Sequence, residues 1–250
     1  MLALACAAFV GAQEFEPAIF LHYEELQRGR FRKAAEFAAQ DQAPVEIVAR
    51  HALETQDWNG AMALVDQPSD ADGIAAYARG IAAARAAWER GQPDLLDIAR
   101  ASAMLLEQRT LRQGSSSLAE LQRVCVRAAI AAAQEERAEL EVLLVHAASM
   151  TLRPAPPRAP THPIIPVHEL AGDLWLQVSR LRDAVREYAA AVEQHPRRPR
   201  PLMGLARAYA RSGNTARART AYESLLVLWK DADAGRPELV EATRFLERYP

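Results

Sequence analysis

Cysteine and lysine are almost missing from this chain of 250 residues. Its two cysteines, Cys6 and Cys125, form no CxxC pair, which excludes a disulfide framework and a zinc ribbon. The only lysines are Lys33 and Lys230, so arginine carries nearly all of the positive charge. The formal net charge is only −2. Nucleic-acid binding usually needs a basic stripe with interleaved aromatic residues, and we therefore expect no nucleic-acid partner.

Long apolar runs and strand patterns are also missing. No run approaches the 18 apolar residues of a membrane-spanning helix, so we expect no transmembrane segment. Val, Ile and Thr are sparse and do not alternate with polar residues, which argues against a sheet. Half of the residues are hydrophobic, and alanine, the best helix former, dominates this half. The composition predicts an all-α protein.

Residues 1–12, MLALACAAFVGA, form an apolar stretch that ends in small residues. They resemble the apolar region and cleavage site of a secretory signal, although no basic residue precedes them. An ordinary N-terminal helix remains an alternative, as does a lipoprotein signal at Cys6. We expect export to a periplasm or envelope if residues 1–12 are a signal remnant, and a cytoplasmic location otherwise.

Residues 13–152 divide into apolar, alanine-rich segments separated by glycine, proline and capping residues. Asp57 is placed to cap the helix that starts at Trp58. We interpret 13–152 as diverged helical hairpins, with a separate small bundle at 73–150 as the alternative. The predicted helices cover residues 17–28, 31–40, 44–56, 58–65, 73–90, 93–113, 118–134 and 138–150.

Residues 153–166 are rich in proline. Proline stands at six positions of this segment, at 154, 156, 157, 160, 163 and 166. So many prolines forbid a helix and favour an extended polyproline-like chain. The segment is either a linker between two helical blocks or an arm packed along them. The apolar pair Ile164 and Ile165 predicts that at least its end is packed.

Small and aromatic residues recur with a period of 34 residues between 165 and 230. The first unit, started at Ile165, carries Gly172, Trp175, Ala184, Tyr188, Ala191 and Pro196 at positions 8, 11, 20, 24, 27 and 32. The second unit, started at Pro199, carries Ala206, Tyr209, Ala218, Tyr222 and Leu225 at positions 8, 11, 20, 24 and 27. This pattern resembles the tetratricopeptide repeat of bacterial proteins.

The resemblance implies an α-solenoid of stacked antiparallel helical hairpins, a superhelix that ends in a capping helix. It assigns two clear repeats and the cap to residues 167–250. It also implies a non-catalytic, protein- or peptide-binding scaffold without a cofactor, in which the first helix of each hairpin lines a concave groove. The candidate groove residues are Glu169, Asp173, Arg200, Met203 and Arg207, with Pro166, Leu176 and Ala210 at neighbouring groove positions.

Charged residues at the groove positions permit two interpretations. The family's clamp of Lys, Asn and Arg for a terminal carboxylate is not present, because positions 5 and 9 hold Glu169 and Asp173 in one unit and Met203 and Arg207 in the next. These mixed charges could orient a partner. They could equally form an ion pair within the chain.

No catalytic motif is present: the chain has no nucleophile elbow, P-loop, HExxH helix or GxGxxG loop. We therefore expect no enzyme. The alternative function is metal binding or metal handling by His146, His162 and His168, whose spacing also fits ordinary exposed or hydrogen-bonded histidines. His22, His51 and His195 are expected at the surface or at helix caps.

Overall fold

A computed structural model describes residues 17–66, 70, 72–113, 117–151 and 160–250. The expected signal at 1–12 and residues 153–159 of the proline-rich segment lie outside these ranges. The described residues form thirteen helices and no strand, as the composition predicts. No helix among them is long and apolar enough to cross a membrane.

The helices lie close to their predicted places, except that α4 stops at Met62 and not at residue 65. Their bounds are α1 (17–27), α2 (Phe31–Ala38), α3 (Val45–Thr55), α4 (Trp58–Met62), α5 (Ile74–Arg90), α6 (Leu95–Gln113), α7 (Ser117–Ala133), α8 (Arg137–Met150), α9 (Val167–Gln177), α10 (Leu181–Gln194), α11 (Pro199–Arg211), α12 (Thr215–Leu228) and α13 (Pro237–Arg248).

Local signals explain where several of these helices begin. The Asp57 carboxylate accepts a hydrogen bond from the Gly60 N–H at 2.9 Å and caps α4, which confirms the predicted cap. Asn214 caps α12 in the same way. Proline occupies the first turn of α11 and α13, where its missing N–H costs nothing.

The hairpins stack as two layers of helices. Helices α3, α5, α7, α9 and α11 contact one another in succession and form the inner layer. Each is followed by its hairpin partner, from α4 to α12, and α13 packs on α12 at the end. One apolar cluster runs through this stack from Ala49 to Ala208. The result is an α-solenoid, as the repeat pattern predicts.

Tyr188 explains why glycine stands at position 172 of the repeat pattern and at position 204 on α11. Its ring is fully buried on α10 and lies between α9 and α11. A Cβ added to Gly172 would lie 2.6 Å from this ring, and one added to Gly204 would lie 2.2 Å from it. Only glycine lets the three helices approach so closely around the tyrosine.

The described end of the proline-rich segment packs inside the stack. Ile164 and Ile165 are buried, as their apolar character predicts. The buried Arg50 guanidinium on α3 donates to the Thr161 carbonyl at 2.9 Å. On α5, the Tyr77 hydroxyl lies 3.5 Å from the Ile165 carbonyl. Residues 160–166 therefore behave as a packed arm that contacts the inner helices α3 and α5.

The N-terminal hairpin of α1 and α2 packs against the C-terminal end of the chain. Leu26 and Phe31 are buried in a second apolar cluster whose remaining members come mainly from α11, α12 and α13. The Phe31 ring meets Trp229 edge-on, with 5.8 Å between centroids, and the Arg236 guanidinium lies 3.6 Å from the Phe31 centroid. Repeats in a solenoid usually contact only their neighbours, so this array differs in closing on itself.

Hydrogen bonds also join the N-terminal hairpin to the C-terminal end of the chain. The Trp229 indole N–H donates to the Gln27 carbonyl at 3.1 Å. The Asp233 N–H donates to the Gly29 carbonyl at 3.0 Å, and the Asp233 carboxylate accepts from the Arg32 N–H at 2.8 Å. We call this contact between residues 17–38 and residues 229–236 the clasp.

The contact between Gly204 and Tyr188 can be tested by Gly204→Ala. The added methyl group overlaps the ring, and we expect a loss of about 1–3 kcal/mol in the free energy of unfolding, measured by urea denaturation. Tyr188→Leu removes the obstructing ring, so the double variant should lose less than the sum of the single variants. Strict additivity would contradict the contact.

The clasp can be tested by Trp229→Ala. Removing this buried ring should cost about 3–5 kcal/mol and release the N-terminal hairpin. Hydrogen exchange should then accelerate over residues 17–38 more than over α5–α8. Trp88→Ala is the matched control, because the Trp88 side chain is 41% exposed and lies outside the clasp. Equal exchange in both variants would argue against the clasp.

Candidate functional site

A cleft with a volume of about 420 Å³ opens on the inner side of the stack. Helices α3, α5, α9 and α11 form its walls, and the clasp closes one side of it. Its lining mixes aromatic, apolar and charged side chains. The lining residues used below are Glu54, Arg85, Trp88, Asp173, Leu176, Gln177, Tyr188, Arg200, Met203, Arg207 and Arg211.

Four of the five candidate groove residues line this cleft. They are Asp173, Arg200, Met203 and Arg207, whereas Glu169 lies beneath the lining and is fully buried. Met203 is only 5% exposed and belongs to the apolar cluster of the clasp. The structure thus brings the two repeat units together around one surface, although not every predicted position reaches it.

A buried ion-pair network forms the floor of the cleft. The Arg198 guanidinium donates to Glu169 at 2.7 and 2.9 Å, and to Glu54 at 2.8 Å. All three side chains are at least 97% buried. A buried charge is tolerated only with close partners, so the network ties α3, α9 and the start of α11 together.

Arg200 extends the network to the surface of the cleft. Its guanidinium lies 3.1 Å from Glu169 and 3.3 Å from Asp173, and it donates to the Leu53 carbonyl at 2.8 Å. The Asp173 carboxylate also accepts the Tyr188 hydroxyl at 2.6 Å. The mixed charges of the groove positions therefore do form ion pairs within the chain, with Arg200 as the basic partner.

The charge on Glu54 depends on its two arginine partners. Burial opposes ionisation of this carboxyl group, but Arg198 and Arg200 outweigh burial and hold its pKa below the ordinary value. Glu54 is consequently ionised at neutral pH, and its contribution to stability is lost as the pH falls through this lowered pKa. At Glu169, by contrast, burial outweighs the arginines and raises the pKa of the carboxyl group.

Arg207 has a separate partner on the capping helix. Its guanidinium contacts both oxygens of Glu241, with a shortest distance of 2.7 Å. Glu241 also accepts the Tyr222 hydroxyl at 2.8 Å. Burial disfavours its charge, but hydrogen bonds from Arg207 and Tyr222 keep the pKa of Glu241 below the ordinary value. This pair fixes α13 against α11.

Sequence reasoning missed the α5 wall of the cleft. Arg85 donates to the Gln177 side-chain oxygen at 2.9 Å, and its guanidinium lies 5.9 Å from the Trp88 ring centroid. Both α5 residues fall outside the clear 34-residue register. The one signal available in the sequence is a large tryptophan near the end of an otherwise alanine-rich helix, and only the structure shows that this ring is exposed.

The histidines of the metal hypothesis have different carboxylate neighbours. His162 lies 3.6 Å from Glu46, and His168 lies 2.8 Å from Glu187. The described part of the chain contains no group of three or more His, Cys, Asp or Glu side chains arranged to hold a metal ion. The expectation for His22 is wrong: this side chain is fully buried, and burial, with His51 and Arg50, lowers its pKa to about 3.

The buried network can be tested by Arg198→Ala. This change leaves two buried carboxylates without their main partner, and we expect a loss of about 3–5 kcal/mol in the free energy of unfolding. Arg186→Ala is the control. The Arg186 side chain pairs with Asp183 and Glu187 but is 64% exposed, so its removal should cost no more than about 1 kcal/mol. Similar small losses in both variants would contradict the role of the network.

A model of the tetratricopeptide repeat family matches residues 176–227 of the chain. This range covers most of α10, α11 and α12, and therefore includes one side of the cleft. Searches among curated proteins and among solved structures gave no match.

Proposed function

We propose that this chain, a tetratricopeptide-repeat protein by its match at residues 176–227, is a non-catalytic scaffold that binds a protein or peptide partner in the cleft. Tetratricopeptide repeats are generally protein-interaction scaffolds. The observation that carries the proposal is the lining of the cleft by groove positions from both repeat units, Asp173 and Leu176 from one and Arg200, Met203 and Arg207 from the next.

The chemistry of the lining supports a polypeptide ligand. Trp88 and Leu176 offer apolar contact surface, and Arg85 and Arg211 offer donors to carbonyl or carboxylate groups. A rigid cleft limits the conformational entropy lost on binding, and the ion pairs beneath this one hold its walls in place. Affinity would come from apolar contacts, and orientation from the charges.

The buried residues of the cleft are unsuitable for testing this proposal. Met203 and Arg200 support the clasp and the buried network, so changing either would destabilise the fold together with the surface. Trp88 is suitable because it is exposed, lines the cleft and lies outside the clasp and the buried network. Val142 on α8 is a matched control, since it is 68% exposed and does not line the cleft.

We expect a photo-crosslinking amino acid at position 88 to capture a discrete polypeptide partner in the native host. The same amino acid at position 142 should not capture it. Trp88→Ala should weaken the purified complex about tenfold or more, as the loss of a tryptophan anchor in an interface often does, whereas Val142→Ala should leave its affinity unchanged. Equal capture from both positions, or none from position 88, would refute binding in the cleft.

The expected export of the chain stays a prediction, because residues 1–12 lie outside the described ranges. The same holds for its bacterial origin and for the assignment of residues 13–152 as diverged repeats.

A further inference from the structure

A second depression, which we call the C-terminal groove, continues from the cleft along α13. It has a volume of about 750 Å³ and shares Arg211 and Pro237 with the cleft. Arg244 and Arg248 line it from α13, one helical turn apart and on the same face as Val240. The two depressions therefore form one continuous surface.

The arginines of the C-terminal groove carry positive charge that the protein itself does not neutralise. Among the described residues, no carboxylate lies within 4 Å of the guanidinium groups of Arg211, Arg244 or Arg248. Arg211 donates only to uncharged oxygens, those of Leu176 and Ser179.

The acid in the lining of the C-terminal groove does not offset this charge. Glu241 is held by three hydrogen bonds from the Arg207 guanidinium and one from the Tyr222 hydroxyl. The Glu241 carboxylate already neutralises the Arg207 guanidinium, which lines the cleft. The C-terminal groove is left with three exposed arginines, which attract an anionic partner.

The aromatic residues of the groove favour a polypeptide over a nucleic acid. The Phe245 ring lies between Tyr222 and Tyr249, with centroid distances of 4.9 and 4.8 Å. Because these rings pack on one another, they do not form the open platform on which bases stack. Val240 is 38% exposed beside them and offers an apolar contact.

We propose that the C-terminal groove binds an extended acidic segment of a partner polypeptide. Arg211, Arg244 and Arg248 receive its carboxylates, and Val240 contacts an apolar side chain between them. This inference rests on the proposed scaffold function and adds the chemistry of the partner. Its basis is charge complementarity, three arginines that lack carboxylate partners on a surface continuous with the cleft.

Synthetic peptides provide the direct test. The probe is a fluorescent peptide of repeated Glu-Ser-Leu-Asp units with acetylated and amidated ends, so that only side-chain carboxylates are available. Its counterpart of Gln-Ser-Leu-Asn units has the same shape without charge. Binding to the full chain is measured by fluorescence anisotropy at low and at physiological salt. We expect the acidic peptide to bind at least about tenfold more tightly and to weaken with salt.

Matched arginine variants connect this binding to the groove. The double variant Arg244→Gln/Arg248→Gln should bind the acidic peptide about tenfold more weakly, the loss expected for two partly exposed ion pairs. The control Arg90→Gln/Arg182→Gln removes the same charge from two exposed positions outside the groove, the cleft and the clasp, and should leave the affinity unchanged. Circular dichroism melting checks that both variants fold.

Four results would overturn the inference. Equal binding of the acidic and amide peptides would exclude charge recognition, and equal weakening by both double variants would leave only a general charge effect. An oligouridylate that displaces the acidic peptide at lower concentration would favour nucleic acid. Self-association in sedimentation that disappears only in Arg244→Gln/Arg248→Gln would identify a second copy of the chain as the occupant. Photo-crosslinking from position 88 tests the proposed scaffold function independently of these four results.

Discussion

The contact between the buried Arg198 guanidinium and the carboxylates of Glu54 and Glu169 is the constraint on which the rest of the structure depends. Arg198 and Glu54 are 144 positions apart in the chain, yet their charged atoms are 2.8 Å apart and out of contact with water. An isolated charge in such a place would cost several kcal/mol, so the two ends of the array must meet for the network to be stable.

The closure has consequences for the surface that remains available. Once α3 meets the start of α11, the N-terminal hairpin reaches the last repeat and buries Phe31 against Trp229. The arm at residues 160–166 packs against α3 and α5, while the cleft opens between α3, α5, α9 and α11 and the C-terminal groove continues along α13. Binding is therefore proposed on surfaces lined mainly by the C-terminal part of the chain, where the match to the repeat family also lies.

Much of the fold could be read from local patterns. Tyr188 and Gly172 stand at positions of the 34-residue register because α9, α10 and α11 meet around the Tyr188 ring. The register also predicts which residues face the inner side of the stack. The site was predicted less completely. Asp173 and Arg207 reach the cleft, but Glu169 is buried beneath it, because repeat positions define the direction of a side chain and not its depth. Trp88 was missed because α5 does not keep the 34-residue register.

The sequence by itself determined the helical class, the bounds of most helices, the hairpin register of residues 165–230 and a set of inward-facing positions. These properties depend on residues close together in the chain, through periodicity, capping and glycine at close contacts. Only the tertiary structure decided that the array closes on itself, that Arg200 and not Arg207 pairs with the acidic groove positions, and that Arg211, Arg244 and Arg248 keep their charge available. These outcomes depend on contacts between residues far apart in the sequence, which form only when all the helices are packed together. No local pattern specifies that arrangement.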